Sequence, residues 1–452
     1  MGKGWRRLLA VMVAVAALAA GCGDDGESSS GGSGGCGGSD TITVPTDCGT
    51  IQEAVDAADE GALILVEPGV YEEAVDVATD DLTIRGLDRN EVVLEGNFEL
   101  ENGIRIVEAD GVVVENLTAQ NYTRNGVFWT GVDGYRGSYL TTIRNGDYGV
   151  YAFGSVNGVL EHSYASGSPD AGFYIGQCFP CNALIDNVVS EWNGLGYSGT
   201  NSGGDLTIVN SVFRNNKAGI VPNSGSYEGC APERETTIVG NYVHDNDNAE
   251  IDGIEAAVLA TGNGILITGG IDNVIERNRV ERHPIAGIAL VPFPEDDPIA
   301  PIPEEFPTDC VEDAVAAPAE EVPDETIYWP ASGNQVVDNV VTDSDEWDLV
   351  LITLDSDPLG NCFAGNEAAV TSPADISETL PCEGAQQSYE PDIGRFLELV
   401  DAVQEPTGDY RDADLPDPGP QENMPDAADA PAEPAGAPRT VDVAAITVPA
   451  AG

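Results

Sequence analysis

Positive charge is scarce in this sequence. Against 78 Asp and Glu stand 18 Lys and Arg and three His, a formal charge of −60 at pH 7. Such a chain repels nucleic acid and other polyanions at long range, so a nucleic-acid partner is excluded. An acidic polymer remains a ligand only where a local basic patch or a bound cation intervenes. High external salt would relieve the self-repulsion, and a salt-rich habitat explains the charge with no functional content. Histidine is equally thin: His162, His244 and His283 are not neighbours, which argues against a zinc site. Long apolar runs are missing too. Only Leu8–Ala20 is continuous, and it is shorter than the ~20 residues of a membrane span.

That run follows Lys3, Arg6 and Arg7, the order of a secretory signal peptide. It ends in Leu18-Ala19-Ala20-Gly21-Cys22, which resembles a bacterial lipobox. The resemblance implies cleavage before Cys22, a lipid on Cys22, and a protein exported and anchored to the outer face of the cell membrane. Loss of residues 1–21 removes three basic residues and no acid, taking the formal charge to −63. Residues 22–40 are Gly/Ser-rich and suit a flexible tether.

Eight cysteines remain: Cys36, Cys48, Cys178, Cys181, Cys230, Cys310, Cys362 and Cys382. An even number outside the cell implies disulfides, with the pairing open. Cys178 and Cys181 have the spacing of a redox motif but no βαβ context, so they are expected to be structural loop cysteines.

Short apolar strands, each opened by a glycine, recur along the chain. They begin at Gly103, Gly126, Gly149, Gly172, Gly196, Gly219, Gly264 and Gly287, at steps of 23, 23, 23, 24, 23, 45 and 23. The long step is expected to hide one missing coil. A second series runs in phase: Asn116, Tyr139, His162, Asn187, Asn210, Asn241, Asn278, Asn339 and Asn366. Asn tolerates unusual turn geometry and bonds the backbone locally, so stacked coils would form an internal polar ladder, with His162 a structural member. A leucine-rich repeat is excluded because its Leu-x-x-Leu-x-Leu frame is absent, and a propeller blade is about twice as long. The remaining solution is all-β: a single-stranded parallel β-helix of about ten coils, on the order of 50 Å long at ~4.8 Å per coil.

The opening sharpens this. Residues 50–61 place Ile51, Ala54, Val55 and Ala58 on one helical face, and Pro68-Gly69-Val70-Tyr71 follows within a strand. This resembles the pectate-lyase-like superfamily of right-handed parallel β-helices over about residues 41–370. There a short helix caps the first coil and a strand of this Pro-Gly-Val-Tyr kind begins the solenoid. The fold does not imply the reaction, since lyases, epimerases, hydrolases, esterases and non-catalytic proteins share it. The Asp-Pro-His-Asp segment typical of its uronan C5-epimerases is absent. So are the Gly-x-Asp-Phe-Ile-Phe-Gly stretch of its pectin methylesterases and the paired-Asp motifs of its polygalacturonases.

The expected organisation is a signal peptide at 1–21, a tether at 22–40 and a β-helix at 41–372 with an N-terminal helical cap. A Pro-rich acidic loop, tied by Cys310, interrupts it at 292–332. A cap region at 373–404 carries Ile393, Phe396, Leu397, Val400 and Val403 at helical spacing. Residues 405–452 lack apolar periodicity and are expected to be disordered.

Three constellations could carry function. Strand alternation puts Val127, Val150, Phe173, Tyr197, Ile220, Ile265 and Ile288 in the core, and Phe128, Tyr151 and Tyr174 in an outward column able to stack on sugar rings unless a loop covers it. Asp245, Asp247, Glu250 and Asp252 offer hard oxygens for Ca²⁺, or form a solvated acidic turn. Arg214, Lys217, His244, Arg279, Arg282 and His283 follow successive ladder positions and are expected to share one side of the rod. Lys217, Arg214, His244, Arg282 and His283 would suit a lyase or epimerase, which must neutralise a uronate and move its C5 proton. Ion pairing in an acidic protein is the rival account. The expected function is therefore a monomeric, lipid-anchored surface protein that binds polysaccharide. The alternatives are a calcium-assisted polysaccharide lyase or uronan epimerase, and a structural surface spacer.

Overall fold

In the computed structural model the described residues are 36, 40–248, 251, 253–295, 310, 327–354, 356–401 and 409–451. Cys22 and the signal segment lie outside them. Each coil contributes one strand to each of three parallel sheets, giving a right-handed β-helix. Sheet A has 12 strands from Thr41–Val44 to Cys362–Ala364, sheet B has 10 from Gly69–Tyr71 to Val340–Thr342, and sheet C has 11 from Val75–Val77 to Thr371–Ser372. The 23-residue step is the register itself. Val127 pairs with Val150, which pairs with Phe173, and Phe128 with Tyr151, which pairs with Tyr174. Alternation does the rest: all seven core residues expected in sheet C are fully buried, as is Trp129.

The long step hides no coil. Ile220 pairs directly with Ile265. The additional residues leave the solenoid at two corners, 224–233 between sheets C and A, and the stretch after Tyr242–His244 that holds the helix Glu255–Ala260. A coil can lengthen at its corners without disturbing the ladder, because corners carry no strand pairing.

The Asn series proves to be two positions. Asn116, Tyr139, His162, Asn187 and Asn210 adopt left-handed backbone (φ 49–57°) at the corner between sheets A and B, with side chains outside. The rings of Tyr139 and His162 stack there at 4.7 Å. In the later coils Gly240, Arg277, Asp338 and Gly365 take over that left-handed position. Asn241, Asn278, Asn339 and Asn366 stand one residue further on and point inward. The backbone N–H of Asn241 donates to Oδ1 of Asn278 (3.0 Å), that of Asn278 to Asn339 (2.9 Å) and that of Asn339 to Asn366 (3.0 Å), while Nδ2 of Asn278 donates to the Ile238 carbonyl (2.8 Å). The other corners have ladders of their own. Asn193, Asn216 and Asn246 line the B–C corner, and Asn273, Asn334 and Asn361 the C–A corner.

The helix Ile51–Ala57 covers the first coil as expected. Thr50 Oγ1 accepts the Glu53 N–H (3.1 Å), and the Glu73 carboxylate accepts those of Ile51 and Gln52. The far end is closed by Ile376, Leu380 and Tyr389, which join the core. The helix Ile393–Asp401 forms, but it lies against the outer face of sheet C through Phe396 and Val400 rather than over the end, and Leu397 is exposed. Val403 lies outside the described residues. The eight cysteines pair as 36–48, 178–181, 230–310 and 362–382. The base of the 292–332 loop is a hairpin of Phe293–Glu295 with Ile327–Trp329.

The largest departure from the sequence expectation is the tail. Over 409–451 it is an extended strap laid along sheets B and A. Guanidinium groups of the rod hold its carbonyls: Arg89 takes Glu422 (3.0 Å), Arg85 takes Ala430 and Pro431 (2.6 and 3.0 Å), Arg277 takes Val443 (2.7 Å) and Arg279 takes Pro449 (2.7 Å). The strap returns Arg439 to Glu161 and Asp186 of adjacent coils. Its Val441, Val443 and Ile446 pack on Leu184, Val209 and Val239. Proline explains how so polar a segment orders, because a chain already restricted in φ has less entropy to lose.

Two outcomes follow. Asn278→Ala should cost about 2–3 kcal/mol, since it strands two buried backbone groups of the preceding coil, the Asn241 N–H and the Ile238 carbonyl, whereas Asn187→Gly should change stability by less than ~0.5 kcal/mol, because glycine accepts its left-handed φ; urea midpoints compare them. Arg89→Ala should speed hydrogen exchange at the Met424 and Ala435 amides, which bond Asn116 and Gly111; unchanged protection would mean that the strap holds without this guanidinium.

Candidate functional site

Sheet C presents a shelf of aromatic rings. The Tyr151 ring stacks on Tyr174 at 4.7 Å, meets Phe128 edge-on at 5.5 Å and lies parallel to Phe153 at 5.8 Å. Tyr148 joins at 4.6 Å from Tyr151 and 4.9 Å from Tyr174. Phe128, Tyr148, Tyr151 and Phe153 are half-buried. Tyr174 is 1% exposed, and its hydroxyl donates to Glu228 of the 224–233 loop (2.6 Å). The expected aromatic column therefore exists, with one end covered and the rest open. Below it stands Arg105, paired with Asp76 (3.1 Å). Above it Val221, Leu266, Ala289 and Val350 run under the helix Ile393–Asp401, enclosing a cavity of about 110 Å³.

Acids border the shelf. Asp147 and Asp170 stand on adjacent coils, the N–H of Asp170 donating to the Asp147 carbonyl (3.2 Å). Asp170 is nearly buried, and the loss of water pushes its carboxyl up to about 7, against the opposing hydrogen bond from the Tyr148 hydroxyl and with some help from Asp147. Burial likewise raises Asp147, while Arg124 at 3.5 Å lowers it. Burial and neighbouring acids hold the Tyr148 and Tyr174 phenols well above the usual range. A carboxyl that exchanges its proton near neutrality beside a hydrogen-bonded phenol is suited to acid–base work. Sequence reasoning missed Tyr148, Asp147 and Asp170. The available signal was an Asp two residues before the strand glycine in two successive repeats, at Asp147–Gly149 and Asp170–Gly172.

The basic set divides. Arg214 and His244 are neighbours on the outer face of sheet B, with Arg282 beside them. Each is engaged: Arg214 with Glu191 (2.6 Å), Arg282 with Asp245 (2.8 Å) and Glu281 (2.7 Å), and His244 Nδ1 with Asp245 (2.6 Å), its ring stacked on Tyr242 at 4.1 Å. The Arg282 hydrogen bond, helped by that of His244, holds Asp245 down to about 2, and burial lowers His244. Arg279 is bound by Glu281 (2.8 Å) and the strap. His283 is fully inside the rod, where burial drives it down to about 3 and its Nε2 faces Asn246 (3.2 Å), extending an Asn ladder. Lys217 occupies the repeat position of Arg124, Asp147 and Asp170 two coils further on, but is 7% exposed with Nζ donating to the Asn248 carbonyl (3.1 Å). Of the calcium candidates, Asp245 is committed to Arg282 and His244, Asp247 is exposed, and Glu250 and Asp252 lie outside the described residues. Among the described residues no three metal-ligating side chains gather, and no helix is long and apolar enough to cross a membrane.

Residues 91–292 match the family model described as a right-handed β-helix region. No curated protein matches. Among solved structures, the A-module of the Azotobacter vinelandii mannuronan C-5 epimerase AlgE4 is 15% identical, with a TM-score of 0.46 over 71% of this chain and 91% of that one. The A-module of AlgE6 from the same organism is 14% identical, with a TM-score of 0.43 over 70% and 89%. The alginate lyase from Paenibacillus sp. str. FPU-7 is 15% identical, with a TM-score of 0.36 over 56% and 90%.

The raised Asp170 carries a sign. Folded, it keeps a proton to about pH 7; unfolded, it releases it near ~3.9. The native state therefore binds more protons in that window. The contribution is full below about pH 4 and is lost as pH rises to 7, on the order of a few kcal/mol. Glu233, pushed by burial to about 8, acts with the same sign, so the useful quantity is a difference. Wild-type stability minus that of Asp170→Asn should fall between pH 4 and 7 and be level above. Parallel urea-midpoint curves for the two proteins would contradict this.

Proposed function

We propose that the protein is a carbohydrate-contacting β-helix whose ligand, a polysaccharide, lies along the aromatic shelf of sheet C. One observation carries the reading: four half-buried rings, Phe128 on one coil and Tyr148, Tyr151 and Phe153 on the next, share one face. Coils repeat at ~4.8 Å, close to the length of a sugar residue, so a chain running along the rod meets Phe128 on one coil and the Tyr148, Tyr151 and Phe153 rings on the next. The C–H faces of a pyranose suit such planes, and a contiguous apolar strip left open to solvent marks an interaction surface. The lipid on Cys22 implied by the sequence would hold the rod at the cell surface.

A second reading is favoured by Asp170 and Tyr148. A carboxyl and a phenol joined by a hydrogen bond at the rim of the shelf supply the proton transfers of a polysaccharide lyase or epimerase. That chemistry also needs a cation for the uronate. At the shelf Arg105 and Arg124 are already paired with Asp76 and Asp147.

A glycan array followed by affinity electrophoresis tests both. Tyr151→Ala should weaken retention of the bound glycan at least ~10-fold, about 1.4 kcal/mol, with the thermal midpoint little changed. Retention unaffected by this substitution would remove the shelf as the binding surface. For the second reading, incubation with uronans should generate products absorbing in the near ultraviolet, or an altered epimer ratio by NMR, and Asp170→Asn should abolish either change.

A further inference from the structure

Over its upper half sheet C is apolar on its outside as well as its inside. Val221, Leu266, Ala289 and Val350 continue the outward column of the shelf, and all four are buried. They belong to a hydrophobic cluster separate from the core of the rod. The helix Glu255–Ala260 leads into the strand Asn263–Thr268, so its Leu259 and Ala260 flank this floor at the strand starts. Phe293 and Pro294 follow the strand Ala286–Val291 and flank it at the strand ends. The helix Ile393–Asp401 roofs it through Phe396 and Val400.

These walls enclose the cavity of about 110 Å³. Its room comes from the choice of one side chain: Ala289 lies in register between Leu266 and Val350, and a leucine there would reach into the space. The polar side chains of the lining are Asn223, Asn263 and Thr268, and both amides are already engaged. Asn223 donates to the Tyr227 hydroxyl (2.6 Å) and accepts from that of Thr200 (3.2 Å), and Asn263 donates to the Ala260 carbonyl (2.9 Å). Among the described residues no charged side chain lines the cavity, and Arg395 of the roof helix is held by Glu346 and Glu398. Water gains little in such a space, because it needs two to four polar partners. A sugar ring is excluded on the same ground, since its hydroxyls would be left without partners. An apolar cavity of ~150 Å³ takes benzene or xenon, which sets a ceiling near one six-membered ring here.

We infer that the cavity is a binding site for one compact, uncharged apolar molecule, no bulkier than a benzene ring. Binding removes the apolar surface of that molecule from water and strands no polar group of the walls. It also couples to the roof. The helix Ile393–Asp401 has nine residues, too few to persist alone, and it depends on docking. A molecule beneath it adds contacts to Phe396 and Val400 that exist only while the roof is closed. The buried Tyr174 and Ser198 stand between this site and the open rings of the shelf, so the inference does not depend on the carbohydrate reading.

The test exposes the full chain to benzene and, separately, to xenon under pressure. Millimolar benzene should raise the thermal midpoint by about 2 °C and slow hydrogen exchange at the amides from Phe396 to Val400. Xenon should shift the methyl resonances of Leu266 and Val350. Ala289→Leu, which fills the space, should keep a thermal midpoint at or above that of the wild type and lose all three responses. Ala289→Val, a smaller filling, carries the same comparison where leucine is not accommodated, and should weaken each response. A wild type that responds to neither probe would overturn the inference, as would a folded filled variant that responds as strongly as the wild type.

Discussion

In-register stacking of coils is the constraint on which this structure depends. A parallel β-helix has no hairpins to fix its pairing, so register must be set by side chains that repeat once per turn. Two devices do so. The inward column of Val127, Val150, Phe173 and Tyr197 penalises a one-residue slip, which would turn apolar groups to solvent. The buried Asn ladders do more, because each amide binds the backbone of the preceding coil while its own backbone N–H is bound by the amide of the next. A corner between strands leaves polar backbone groups facing a dry interior, and an amide with two donors and an acceptor is the smallest side chain able to satisfy them. Once register is fixed, outward side chains 23 residues apart become neighbours, and a surface such as Phe128–Tyr151–Tyr174 is produced with no further specification.

The same reasoning marks what the sequence makes legible. The 23-residue period, the core column, the outward aromatic column and the capping helix depend on local alternation and spacing, and all can be read from one coil compared with the next. The Asn ladder was displaced by one residue in its first half. Asn at a left-handed corner and Asn one step inside it look alike in sequence, and only the neighbour distinguishes them: Asn116 precedes the core residue Leu117, whereas Asn241 follows the left-handed Gly240. The long step concealed insertions because length alone does not say whether extra residues make a strand or a corner. Tyr148, Asp147 and Asp170 lie outside the glycine-led strand pattern, because the edge of the shelf is made by the residues just before each glycine.

The strap escaped for a different reason. Composition measures whether a segment can build its own core, and 409–451 cannot. It orders on the surface of the rod, its carbonyls accepting from guanidinium groups dispersed over residues 85–279 and three of its apolar side chains joining a patch on sheet A. Arg85 shows the logic. It is fully buried, charge-paired to Glu115, and its remaining donors end on strap carbonyls. In a chain so short of cations, these arginines are consumed in holding the protein together.

That use of arginine decides where a ligand can go. The strap lies over part of sheet A and crosses sheet B. The far part of sheet B is a closed network of Arg214, His244, Asp245, Glu281 and Arg282, in which each charge has an opposite charge in contact. The upper half of sheet C is covered by the helix Ile393–Asp401. Among the described residues, the stretch of sheet C from Arg105 to Tyr151 is thus the part of the rod where rings remain open and hydrogen-bonding carboxyls stand at their edge. Its position follows from what the other faces are occupied in doing: one wall of the solenoid is clasped, one is ion-paired and half of the third is roofed, which leaves this stretch open by subtraction.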